Sequence, residues 1–208
     1  MASFTPDSQL ELAFDATLIP KTLSATLPTG LHLRPLASSD YQRSHLALLS
    51  TLTQTPDIGE EAWKARFHEI TALKGTYYPV VVVDTASDQL VATGNLLVER
   101  KFIRGAGLAG HIEDIAISSA MQGKGLGKKL IEVLTELSDI VGTYKVSTDL
   151  LREERAAVNI APLQTILDCD PKNEGEPHLL AFDDATREAE PKPIRRSFLR
   201  QVRVSQTT

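Results

Sequence analysis

The sequence predicts a mixed α/β domain whose central sheet holds an antiparallel meander and is flanked by helices. Three observations predict it. The run Tyr77–Asp84 (YYPVVVVD) is dense in β-branched and aromatic residues, the composition of a buried strand. Leu90–Lys101 returns after the turn Thr85-Ala86-Ser87-Asp88, and His111–Ile117 follows the flexible link Gly105-Ala106-Gly107, so three strands come in succession. Gly123–Val141 then passes from a glycine turn into a helix with Leu126, Leu130, Val133, Leu134 and Leu137 as its apolar positions.

The other elements follow from local signals. Leu31–Leu36 reads as the first strand, with Leu31 and Leu33 on one face. Ser38, Ser39 and Asp40 offer helix caps, and a helix is predicted through Leu46, Leu49 and Thr53. Gly59-Glu60-Glu61 opens a second helix with its acidic pair at the positive end. Trp63, Phe67, Ile70 and Leu73 recur at helical spacing and read as a stripe packed in the core. Gly94 marks a bulge in its strand, and Gly142 closes the long helix. Thr143-Tyr144-Lys145-Val146 starts another strand, and Leu163–Asp168 regains strand character. Residues 1–28, with Pro6, Pro20 and Pro28, read as a flexible, poorly ordered N-terminal arm, with packing expected only at its end. Residues 176–208 alternate acidic and basic clusters around Pro177, Pro191 and Pro193 and read as a poorly ordered tail.

Composition narrows the function classes. The chain of 208 residues suits one domain with loose ends. Acidic residues outnumber basic ones, 27 to 22, giving a formal net charge of −5, which argues against general nucleic-acid binding. No apolar run approaches the ~18 residues of a membrane span. The start, MASFTPDSQLELAFD, is acidic and has no apolar signal core. The single cysteine, Cys169, allows neither an internal disulfide nor a cysteine-clustered zinc site. A reducing compartment, the cytoplasm, is expected, and no metal.

The strongest chemical signal is Met121-Gln122-Gly123-Lys124-Gly125-Leu126-Gly127-Lys128-Lys129, after a strand and at the start of a helix. Glycines let an anion approach the backbone, the helix start leaves N–H groups unpaired, and the helix dipole favours negative charge there. Lys124, Lys128 and Lys129 add positive charge, so the segment reads as a pyrophosphate cradle. A nucleoside-triphosphate loop needs G-x-x-x-x-G-K-[ST], and the spacing here is too short. A dinucleotide loop needs G-x-G-x-x-G, and Gly123-Lys124-Gly125-Leu126-Gly127 is one residue short.

The form Q-G-x-G-L-G resembles the pyrophosphate turn of the acetyl-CoA acyltransferases of the GNAT superfamily. Ala92-Thr93-Gly94-Asn95, Glu99–Ile103, Gly110–Ile117, the glycine turn and Gly142–Lys145 together resemble eukaryotic glucosamine-6-phosphate N-acetyltransferases. An island at Ile166–Asn173 resembles that family's next strand and loop. The match covers residues 29–145 well. The resemblance implies a GNAT fold over 29–175. It also implies a homodimer and direct attack of the 2-amino group of glucosamine 6-phosphate on acetyl-CoA, on the route to UDP-N-acetylglucosamine. With no acyl-enzyme, Cys169 is not a nucleophile.

By position, the resemblance implies catalytic roles for Glu113, Asp114 and Asp168. Thr53, Lys101, Phe102, Ile103, Arg104, Glu113, Asp114, Ile115, Tyr144 and Lys145 would contact the sugar phosphate. Ile115, Ala116 and Ile117, then Gly123, Lys124, Gly125, Leu126, Gly127 and Lys128, with Asp168 and Asn173, would hold acetyl-CoA. The chemistry asks for such types: a carboxylate near the amine to receive a proton, a backbone N–H for the oxyanion, and Lys or Arg for the sugar phosphate. Adjacent acids in an apolar strand point to opposite faces, so at least one of Glu113 and Asp114 is costly to bury without a role. His111 reads as structural, its ring satisfied by hydrogen bonds.

Two segments depart from the family. Residues 146–164 interrupt the strand after Lys145. Val146-Ser147 and Gln164 can be encoded with intron-boundary letters, so the segment is expected to be a translated intron, an exposed excursion after which the strand resumes near Thr165. From Glu176 the family's aromatic motif and last strands are missing, so the C-terminal part of the sheet is expected to be incomplete. Two alternatives follow: a CoA-binding protein with impaired turnover, or a GNAT enzyme acting on another amine.

Overall fold

The computed structural model describes residues 4–148, 163–168 and 178–183, the last two stretches as backbone. Its sheet has seven strands in chain order: β1 (Leu31–Pro35), β2 (Tyr77–Asp84), β3 (Gln89–Arg100), β4 (Leu108–Ile117), β5 (Thr143–Thr148), β6 (Leu163–Asp168) and β7 (His178–Asp183). Every neighbouring pair is antiparallel except β4 and β5, which are parallel and joined through a long helix. The helices are α1 (Lys21–Ser24), α2 (His45–Leu49), α3 (Glu60–Ala72), the short turn α4 (Ile103–Ala106) and the long α5 (Leu126–Ile140).

Alternation along β2 builds two cores. Val80 and Val82 join Leu96, Ile112, Ile115 and Ile117 against Leu126, Leu130, Leu134 and Leu137 of α5. Val81 and Val83 face the other way, onto Leu48 of α2 and Trp63 and Phe67 of α3. The valine run is therefore buried on both faces, as a central strand requires.

The arm expected to be flexible is packed along residues 4–28. Ile19 enters the α5 core and Ala13 the α3 core, and Leu12 bridges to Ala37. Thr5 bonds Asp88 through its hydroxyl at 2.9 Å. The prolines set short turns here, and the apolar residues between them dock on the sheet. The helix expected through Thr53 ends at Leu49, and Thr53 lies in an exposed bend. The stripe of α3 buries Trp63 and Phe67 only; the helix stops at Ala72, and Leu73 is left 55% exposed.

Beyond Lys145 the structure differs from the sequence reading. Val146 is 1% exposed within the α5 core, and residues 146–148 complete β5. Leu163–Asp168 does not resume that strand; it runs antiparallel beside it, with Lys145 opposite Asp168 and Ser147 opposite Ile166. The β-branched residues Val146 and Thr148 continue the strand, so at most 149–162 lies between the two. Past Glu176, where no strand is expected, the apolar run Leu179–Phe182 lies within β7, paired to β6.

Candidate active site

The site is built where β4 distorts. In the β3–β4 ladder, Thr93 faces Ala116 and Asn95 faces Glu113, so Asp114 and Ile115 together oppose the single residue Gly94. The extra residue is on β4, not at Gly94 as the sequence suggests. Asp114 takes the left-handed conformation, φ +57°, which is uncommon for a residue other than glycine and marks a bulge held by its surroundings. Gly94 makes the room: a Cβ there would lie 2.5 Å from Cδ1 of Ile115 and 3.0 Å from Cδ1 of Leu134.

The bulge coincides with the end of the β4–β5 ladder. Pairing runs from Leu108–Thr143 to Ile112–Thr148, while β4 continues to Ile117. The glycine turn follows directly. The amide of Ser118 donates to the Val91 carbonyl at 2.9 Å, and Gln122 Nε2 donates to the Ile117 carbonyl at 3.3 Å, fixing the turn to the strand end. Gly123 and Gly125 are both left-handed, φ +74°, and a Cβ at either would meet nothing within 4 Å. Space, rather than close packing, surrounds the turn.

Helix α5 begins at Leu126 with no side-chain cap and no acidic residue in its first turn. Its first intrahelical bond to Gly125 comes from the Lys129 amide at 3.2 Å, so the amides of Leu126, Gly127 and Lys128 have no acceptor within the helix. Lys129 pairs with Glu132 at 3.8 Å. Lys124 and Lys128 are exposed. Open space, unpaired backbone N–H groups and two exposed lysines meet here, the chemistry that suits an anion.

Asp114 has an exposed surface, yet the protein around its carboxyl removes enough water to raise its pKa. Glu113 is half-buried opposite Asn95. Asn95 Oδ1 and Ser118 Oγ are buried without a hydrogen-bond partner among the described residues, one on each side of the Glu113–Ile117 stretch. Sequence reasoning missed both, since an isolated Asn or Ser in a strand carries no signal by spacing.

A second group gathers at the other end of β4. Tyr144 is a bulged residue of β5, between the pairs Leu108–Thr143 and Ala109–Lys145. The Arg104 guanidinium stands over its ring at 5.6 Å and the Lys145 ammonium at 6.0 Å. Gly107 permits this approach, since a Cβ there would be 3.0 Å from the Tyr144 ring. Phe102 is fully exposed and Ile103 64% exposed at the same tip. Lys101 pairs with Glu99, whose carboxyl also takes His111 and is held below the usual range, first by the Lys101 bond and then by His111.

The structure thus sets the bulged end of β4, Glu113–Ile117, directly before the glycine turn, tied to it through Ile117 and Gln122, and brings Arg104 and Lys145 to the Tyr144 ring. Thr53 touches neither group; its carbonyl accepts from Thr55 Oγ1 at 3.2 Å. Asp168 registers with Lys145, whose β4 neighbour is Ala109. That is about 20 Å along the strand from Ile115, so Asp168 is not beside the glycine turn. Asn173 and Cys169 lie outside the described residues.

A meander that distorts in its third strand beside a glycine turn opening α5 defines an acetyltransferase of the GNAT type. Residues 41–161 match the family model "Acetyltransferase (GNAT) family", whose enzymes use acetyl-CoA as co-substrate. The chain is 43% identical over 114 residues to glucosamine 6-phosphate N-acetyltransferase 1 of Oryza sativa subsp. japonica, covering 55% of this chain and 69% of that one. It is 36% identical over 149 residues to the glucosamine 6-phosphate N-acetyltransferase of Candida albicans, covering 72% and 87%. The crystal structure of glucosamine-6-phosphate N-acetyltransferase from Arabidopsis thaliana superposes with a TM-score of 0.57 at 36% identity, covering 60% of this chain and 85% of that one. The chain belongs to the glucosamine 6-phosphate N-acetyltransferase family. No described helix is long and apolar enough to cross a membrane.

Proposed function

We propose that this chain transfers the acetyl group of acetyl-CoA to the 2-amino group of D-glucosamine 6-phosphate, in the cytoplasm, on the route to UDP-N-acetylglucosamine. The observation that carries the reading is the β4 bulge at Asp114–Ile115, set where the β4–β5 pairing ends and next to the N–H cradle of α5. Backbone groups of Ile115–Ile117 hold the pantetheine arm, and Gly123–Lys128 take the pyrophosphate. A bulge amide meets the developing oxyanion, which is worth about 3 kcal/mol of barrier for one such donor. Glu113 and Asp114 lie at the amine, and the raised pKa of Asp114 suits a group that receives a proton.

The sugar phosphate goes to the basic group Lys101, Arg104 and Lys145 around Tyr144. The exposed pair Phe102 and Ile103 beside that group supports a homodimer, because a second copy would cover it. The substrate itself rests on the relatives named for it.

The test is release of CoA thiol from acetyl-CoA with glucosamine 6-phosphate and with glucosamine, at equal subsaturating concentrations. Turnover that is faster with the phosphorylated sugar is expected. Equal rates overturn the phosphate site, and CoA binding without transfer to either sugar identifies the non-catalytic CoA-binding alternative.

A further inference from the structure

His111 stands two residues before Glu113 on β4, and its ring is held at both nitrogens. Nε2 is 3.1 Å from Glu99 Oε2, and Nδ1 is 3.1 Å from Ser147 Oγ. Glu99 is kept ionised by Lys101 and accepts only, so Nε2 carries the hydrogen. In the neutral ring Nδ1 is then an acceptor, and the Ser147 hydroxyl donates to it.

Ser147 has a second acceptor in reach, the Gly110 carbonyl at 3.5 Å. When Nδ1 takes a proton it donates to Ser147 Oγ, and the hydroxyl turns to Gly110. Every polar group keeps a partner in both protonation states. A ring that only packs needs one such arrangement; this one has two, exchanged by rotating a single hydroxyl. The ring is not sealed off, with its side chain 29% exposed. The charged groups around it are Glu99 and Lys101 on β3, Glu113 on β4, Lys145 on β5 and, in register with Lys145, Asp168 on β6. Arg104 and Tyr144 lie further toward the start of β5.

We propose that His111 is the final acceptor for the proton that the substrate ammonium must lose, handed on from the carboxylates at the amine through solvent and the Ser147 hydroxyl, with Glu99 and Ser147 as positioning residues. This rests on the acetyl-transfer reading above. The ammonium gives one proton to the relay, and Ser147 passes its own hydrogen to Nδ1 while taking the incoming one. The freed nitrogen lone pair forms the N–C bond to the thioester carbonyl, and the C–S bond breaks with its electron pair leaving on sulfur. A second nitrogen proton neutralises that thiolate. The imidazolium returns its proton to solvent, so one proton is released per turnover.

The experiment measures kcat and KM between about pH 5 and 9 for the full chain and its H111Q, E99Q, S147A and S147T variants. The His111 ring is followed by nitrogen NMR, and CoA affinity by calorimetry. H111Q is expected to lose about 10²-fold in kcat near neutral pH and to lose the acid limb of the profile, with CoA affinity kept within about twofold. E99Q is expected to lower kcat more than it raises KM, because Nε2 loses the carboxylate that fixes its hydrogen there and leaves Nδ1 as the acceptor. S147A lowers kcat more than it raises KM, and S147T restores it. An H111Q variant that keeps the acid limb, or a neutral ring protonated at Nδ1, overturns the proposal. If H111Q fails to bind CoA, E99Q carries the test, and an E99Q kcat equal to that of the wild-type chain is fatal. A wild-type chain silent with both sugars defeats the acetyl-transfer reading, while the NMR arm still decides the role of the ring.

Discussion

Trp63 donates its indole N–H to Nδ1 of His45 at 3.2 Å, inside the core between α2 and α3. The bond fixes the neutral ring with its hydrogen on Nε2. Burial depresses the His45 pKa from 6.5 to about 4, against a smaller opposing pull from Asp40.

That depression makes the fold sensitive to mild acid. Below about pH 6.5 the unfolded chain gains a proton on this ring that the folded chain declines until about pH 4. Stability therefore falls as pH falls through that window, by at most about 3 kcal/mol, and this contribution is constant above it. Urea melts at pH 7 and pH 4.5 should show the loss, and H45Q should reduce it. Trp63 is the only tryptophan, so its fluorescence reports the folded-state midpoint near 4.

Asp40 and Arg34 form a buried two-pronged pair, at 2.7 and 2.8 Å, with exposures of 0% and 1%. Asp40 also accepts from the Ala37 amide at 2.7 Å. D40A strands the guanidinium in the core and should cost about 3–5 kcal/mol in chemical denaturation. A D40L/R34M double variant should recover part of that, since the other guanidinium on Asp40, that of Arg43, keeps its pair with Asp88 at 3.0 Å.

Gly125 keeps the space before α5 open. G125V puts a branched side chain into the open space where the proposed pyrophosphate site lies and strains a left-handed residue. CoA affinity by calorimetry should weaken at least about tenfold, or ~1.4 kcal/mol. Unchanged affinity would remove the glycine turn from the CoA site.

Gly94 carries the bulge from behind. G94V drives into Ile115 and Leu134, both fully buried, and should destabilise the fold by about 1–3 kcal/mol. The KM for acetyl-CoA should rise as well, because Ile115 is the displaced residue. A variant that loses stability but keeps that KM would separate the bulge from cofactor binding.

Much of this was legible in the residues, for definite reasons. The valine run of β2, the amphipathic α5 and the glycine turn each carry their own pattern, and each element formed where that pattern lies. The bulge was misplaced from β4 to Gly94, because glycine signals permission for a distortion and not which strand takes the extra residue. The N-terminal segment was misread because its prolines are visible, whereas the docking of Ala13 and Ile19 depends on partners distant in sequence. Asp168 was aligned by motif with the CoA side, and only the β5–β6 register shows it beside Lys145. The Glu99–His111–Ser147 set joins three strands and has no signature along the chain.

Sheet order equals chain order throughout, β1 to β7. A chain emerging from the ribosome can therefore lay each strand onto an edge already made, without waiting for a later segment to fill a gap. The bulge of β4, the glycine turn and α5 are all synthesised before β5, β6 and β7, so the turn and its helix can be assembled while those strands are still in the exit tunnel. A ligand that binds the turn would then act as a folding ligand for the nascent chain, stabilising it by mass action before the protein is released.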